Sequence, residues 1–117
     1  MPKDQVLNQD QVNAALSLLP GWTYNGNSIS RTWETGGWRA TLMLVNLIGW
    51  VCETGFHHPD LGVHYSKVIV TLSTHSAGGV TAKDLATAER LERAISDLPE
   101  DGSPLGTPPE PLIKPGD

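Results

Sequence analysis

The stretch from Trp38 to about Thr54 constrains the fold more than any other. Trp38, Ala40, Leu42, Met43, Leu44, Val45, Leu47, Ile48, Trp50 and Val51 leave it apolar nearly all round. Its length favours a helix over a strand, against a β-branched and aromatic content that speaks for a strand. Its most apolar part, around Leu42 to Val51, is broken by Asn46 and Gly49 and is too short to span a bilayer. A helix without a polar face needs cover on more than one side. One sheet face covers one stripe, and each large side chain left in water costs roughly 1.5–3 kcal/mol as an upper figure. A second copy of the chain is the expected cover, in a homodimer or a homotetramer of paired dimers.

The flanking segments read as a short α+β domain. Asn8 is a good N-cap, Gln11 can return the bond, and Leu7 with Val12 forms a hydrophobic staple. Val12, Ala15, Leu16 and Leu19 make the stripe of a first helix that Pro20-Gly21 stops. Trp22 to Asn25 and Ser28 to Trp33 form a hairpin around Gly26-Asn27. After the long helix, Leu61–Tyr65 and Lys67–His75 are strands, with the reversal near Ser66-Lys67. A last helix opens at Thr81, with Asp84 as capping-box partner and Val80 with Leu85 as staple, and runs through Leu91, Ile95 and Leu98. The order helix, two strands, helix, two strands, helix fits a four-stranded antiparallel sheet with helices on one face. Residues 1–98 are thus a single domain. Residues 99–117, Pro/Gly-rich with little to bury, read as a mostly extended or disordered tail.

Composition narrows the class. The 117 residues carry a net charge of −5, so no basic surface advertises nucleic acid or anionic lipid, and no membrane association is expected. Met-Pro-Lys-Asp-Gln lacks the apolar run of a signal peptide, and Cys52 is the sole cysteine, so a cytoplasmic location is the expectation.

All four histidines lie within residues 53–84. Counting outward from Tyr65 paired with Val68, His58-Pro59 comes level with Thr74-His75 at one end of the hairpin. Glu53 stands one helical turn before His57, and Asp84 lies in the first turn of the last helix, at this same end. Imidazoles titrate nearest neutrality, so such a cluster suits acid–base chemistry. Bland readings stand beside this one. Asp84 also serves as a capping residue, and both roles can coexist. Glu53 also reads as a solvated surface acid, and His64 as a surface histidine. A zinc site is the chemical rival, but His57 and His58 are adjacent, no HxxxH or CxxC spacing occurs, and Cys52 lies inside the apolar helix. No metal is expected. No GxSxG elbow supports a serine nucleophile.

The run Glu53, His57-His58-Pro59, Tyr65, His75 and Asp84 resembles the pattern of the pterin-4a-carbinolamine dehydratase family, also known for a dimerization cofactor of a homeodomain transcription factor. Gly21-Trp22, Lys67-Val68, Leu72-Ser73-Thr74-His75 and Gly79 extend the likeness over roughly residues 7–98. The resemblance implies a four-stranded antiparallel sheet with helices on one face, assembled as dimers or dimers of dimers. It implies loss of water from 4a-hydroxytetrahydropterin to give quinonoid dihydropterin, with no metal or organic cofactor. His57 and His75 are then the acid–base pair, Glu53 tunes or orients an imidazole, and Asp84, in the position where many relatives have Arg-Asp, completes the catalytic set. His58, Pro59, Trp22 and Lys83 fall to the pterin, Trp22 as a wall for the flat ring.

Departures from the family pattern alter the site's lining. Phe56 stands where relatives often have a small or polar residue, Leu61-Gly62 replaces an aromatic pair, and Lys83 stands where many have arginine, losing any bidentate contact. They leave room for a second implication: a family branch encoded beside carboxysomal Rubisco that acts as a non-enzymatic assembly factor. A proline-rich tail is mild support for that partner-binding role.

Overall fold

Alternation on one strand sets the layers. Val68, Val70 and Leu72 are fully buried, while Ile69 and Thr71 between them are half-buried, as a sheet covered on one face requires. A computed structural model describes residues 4–99, 102–106 and 108–114. Its elements are α1 (Gln9–Leu16), β1 (Thr23–Tyr24), β2 (Ile29–Glu34), α2 (Trp38–Thr54), β3 (Asp60–His64), β4 (Lys67–Leu72) and α3 (Ala82–Ser96). The four strands form an antiparallel sheet in the order β1-β2-β4-β3, the α+β architecture expected from the sequence. Ile29 and Trp33 of β2 pair with Leu72 and Val68, so all four side chains point to the helix side and are buried there with Val12, Ile48, Val80 and Leu91.

Both expected capping boxes form. The Asn8 side chain accepts from the Gln11 N–H at 2.9 Å and Gln11 returns the bond at 2.9 Å; Thr81 and Asp84 do the same for α3. The α1 helix ends earlier than its apolar stripe. Ser17 caps it, and Leu19, in the turn beyond, still reaches the core.

The β3–β4 hairpin differs in register from the sequence reading. His64 pairs with Lys67 and Leu61 with Val70, so the turn is Tyr65-Ser66 and the strands are shifted by two residues. A two-residue slip keeps every side chain on its own face, so alternation cannot detect it. The turn is anchored from outside the hairpin. The Thr35 N–H donates to the Ser66 carbonyl at 2.8 Å, and the Thr41 hydroxyl to that of Tyr65 at 3.1 Å.

The tail has more to bury than its composition suggests. Ile113 bridges to Thr35, the Lys114 N–H donates to the Glu34 carbonyl at 2.9 Å, and Leu112 and Ile113 are half-buried. Gly36 allows this strap, because the Pro111 carbonyl occupies the place a Cβ would take. On α2, Thr41, Leu44, Ile48, Val51 and Cys52 face the core, whereas Trp38, Leu42, Met43, Leu47 and Trp50 are exposed.

Candidate active site

The end of α2 delivers the histidines. Gly55 caps the helix, the Phe56 N–H donates to the Glu53 carbonyl at 3.0 Å, and the His57 N–H reaches back to the Cys52 carbonyl at 3.1 Å. These two bonds are a Schellman motif, which needs a left-handed residue at its centre. That residue is Phe56, at φ +48. A side chain there costs roughly 1–2 kcal/mol relative to glycine. Arg90 of α3 holds the same turn from the other side. Its guanidinium donates to the Val51 carbonyl at 2.8 Å and to the Thr54 hydroxyl at 2.9 Å, supplying the cation that the last turn of α2 lacks. A Cβ at Gly55 would stand 2.8 Å from that guanidinium.

So positioned, His57 meets Asp84. Its Nε2 lies 2.6 Å from Asp84 Oδ1, with the His57 side chain 14% exposed and that of Asp84 fully buried. Asp84 Oδ2 accepts from the Thr74 hydroxyl and from the Thr81 N–H, each at 2.8 Å. The Thr74 and Thr81 hydroxyls are 2.7 Å apart, and the Lys83 N–H donates to Thr81 Oγ1 at 3.2 Å. The proton assignment follows. A carboxylate only accepts, and each hydroxyl has one proton to give. Thr74 therefore donates to Asp84, Thr81 donates to Thr74, and His57 donates from Nε2. Neutral His57 is thereby held with its lone pair on Nδ1. The first turn of a helix also favours the Asp84 charge.

The other sequence candidates fall into different places. Glu53 pairs with His58 rather than His57, Oε1 to Nε2 at 2.7 Å, with both side chains more than half exposed. The Phe56 ring stands edge-to-face against His58, centroids 5.3 Å apart. Pro59 is half-buried. His75 is exposed in the turn after β4, next to Thr74, and makes no side-chain hydrogen bond among the described residues. His64 is exposed at the far end of β3. Lys83 makes an ion pair with Asp4 at 2.7 Å. Trp22 is placed away from the histidines within one chain. It is buried against Trp33, and its indole N–H donates to Glu92 at 2.8 Å, about 12 Å along α3 from Asp84 at the helical rise. An indole inside the core cannot also wall an open site.

Arg90 is the site residue that the sequence reading left out, while Thr74 was named there only as part of the family likeness and Phe56 only as a departure in the site's lining. Cys52 is buried in α2, and that burial pushes its thiol up against the lowering effect of Arg90. Among the described residues, no three His, Cys, Asp or Glu side chains are grouped to hold a metal ion. A cavity of about 440 Å³ lined by Arg31, Trp33, Glu92, Ile113 and Lys114 lies toward the other end of α3 and contains no histidine.

This arrangement can be set against known proteins. The family model described as pterin 4 alpha carbinolamine dehydratase matches residues 5–94. A protein of Mycobacteroides abscessus is 42% identical over 90 residues, covering 77% of this chain and 96% of its own; one of Aquifex aeolicus is 35% identical over 92 residues, covering 79% and 93%. Both carry the name pterin-4-alpha-carbinolamine dehydratase as an unproven assignment. Among solved structures, a transcriptional coactivator/pterin dehydratase from Brucella melitensis superposes with a TM-score of 0.71 at 29% identity, over 77% of this chain and 98% of that one. A pterin dehydratase-like protein identified as a RuBisCO assembly factor in the alpha-carboxysome matches at TM-score 0.55 and 18% identity, over 65% and 90%, a likeness of fold alone. With the match running from the N-terminal arm through the Asp84 helix, the chain belongs to the pterin-4a-carbinolamine dehydratase family.

Proposed function

We propose that the chain dehydrates 4a-hydroxytetrahydropterin to quinonoid dihydropterin by acid–base catalysis at His57 and His75. In this reaction the C4a–O bond breaks with its electron pair, the oxygen takes up a proton and leaves as water, and the neighbouring N5–H gives up its proton as the C4a=N5 double bond forms. One base and one acid suffice, with no metal or organic cofactor. The observation that carries the reading is the buried Asp84–His57 pair, because it leaves His57 with a free Nδ1 lone pair suited to take the N5 proton. His75, open to solvent beside Thr74, supplies the proton to the departing hydroxyl and is recharged from water. His58, held by Glu53, and Pro59 shape the pterin side of the site. Lys83 borders it through its neighbour Asp84.

The test is a stopped-flow assay on freshly generated carbinolamine. Dehydration well above the buffer rate is expected. A wild-type rate equal to buffer refutes the enzyme reading. The assembly-factor reading then remains, tested by whether co-expression raises the yield of assembled Rubisco.

We also propose self-association through α2. Trp38, Met43 and Trp50 are 48%, 51% and 66% exposed on one helix, an apolar surface that a second copy would cover. Residues 1–98 form the catalytic unit in this reading, and the tail braces it.

A further inference from the structure

Phe56 combines two costs, and the one ring contact set against them among the described residues is with His58. Its backbone is left-handed at φ +48, a conformation that suits glycine or asparagine at this point of a Schellman motif. The residue is 80% exposed, so burial does not offset the strain. An outlier of this kind, at a site, points to a function for the side chain. The surroundings indicate which function. The ring stands at 81° to His58, edge-to-face at 5.3 Å, and His58 is fixed in turn by Glu53 at 2.7 Å. Phe56 therefore sits on a braced imidazole, one residue from His57. The wall expected of Trp22 is absent from this place, because that indole is buried and bonded to Glu92.

We infer that Phe56 is the aromatic wall against which a planar heteroaromatic substrate rests beside His57 and His58. This rests on the dehydratase reading and extends it: ring-on-ring contact, rather than a polar side chain, sets affinity at this edge of the site. The ring offers a flat apolar face without a hydrogen-bonding group, so it favours the fused bicycle of a pteridine over its polar substituents.

The test measures thermal unfolding and the binding of oxidised pterin (2-amino-4-oxopteridine), by calorimetry or tryptophan fluorescence. Four proteins are compared: wild type, Phe56→Gly, Phe56→Leu and Phe56→Tyr. Phe56→Gly should melt about 4 °C higher, as left-handed strain is relieved, and bind pterin roughly three- to tenfold more weakly. Phe56→Leu keeps the strain and loses the π face, so it should melt like wild type and bind as weakly as glycine. Phe56→Tyr should match wild type in both. Glycine binding as tightly as wild type overturns the inference. A lower melting temperature for Phe56→Gly overturns it too, since the ring would then be structural. If wild type itself fails to bind pterin, the dehydratase reading falls and this inference with it; wild-type binding with an indifferent Phe56 removes the inference alone.

Discussion

Asp84→Asn changes one atom and should invert the proton logic of the site. The carboxylate accepts at both ends: Oδ2 from the Thr74 hydroxyl and the Thr81 N–H at 2.8 Å, and Oδ1 from His57 Nε2 at 2.6 Å. An asparagine can satisfy the two threonine donors only by placing its carbonyl oxygen there. Its NH2 group then faces Nε2, which must become the acceptor, and the imidazole proton moves to Nδ1. The nitrogen proposed to take the substrate proton is then occupied. Loss of correctly placed general-base catalysis typically amounts to 10²–10⁴-fold in rate, roughly. The stability cost is smaller. A charge-assisted bond worth about 1.5–3 kcal/mol becomes a neutral one worth about 1, and a carboxylate worth about 0.3–1 kcal/mol leaves the first turn of α3. The net cost is about 2 kcal/mol, and the protein should stay folded because the Thr81 capping bond survives. Two assays read this: stopped-flow dehydration, and nitrogen-15 NMR of the His57 ring, which reports the tautomer. A variant that keeps its rate to within about threefold, or an unchanged His57 tautomer, would refute the reasoning.

Arg90→Met removes both bonds to the end of α2, at 2.8 and 2.9 Å, and should cost about 1–3 kcal/mol in denaturant unfolding. Deleting residues 99–117 loses the Ile113 bridge and the half-buried Leu112 and Ile113; it should cost about 1–2 kcal/mol by area while the circular dichroism spectrum and dehydration rate persist. Light scattering at micromolar concentration should give a multiple of the 12.6 kDa chain mass, insensitive to salt because apolar contacts hold it. A monomeric mass would show that the exposed face of α2 is not an interface.

The parts of the fold that local chemistry dictates were legible. The Asn8–Gln11 and Thr81–Asp84 boxes are written in four residues each, and the apolar run from Trp38 to Thr54 matches α2 end to end. The β3–β4 register was not legible, since two registers two residues apart bury the same faces, and the choice is made by Thr35 and Thr41 from a distant segment. At the site, the likeness of residues 53–84 to a family brought the right segments forward, but not their pairing. Glu53 pairs with His58 because the Schellman turn rotates His57 toward α3. Phe56 is a poor candidate for a left-handed residue on propensity, so nothing local announced it. Arg90 reads as an ordinary helix charge until α2 is packed beside it.

The two-histidine mechanism is tested most directly by the dehydration rates of wild type, His57→Ala, His75→Ala and the double variant on one preparation of carbinolamine. If the imidazoles act as a unit, each single variant should lose on the order of 10²-fold or more, and the double should be little worse than the slower single. A single variant that dehydrates at the wild-type rate would contradict the assignment of that histidine and the paired acid–base mechanism with it.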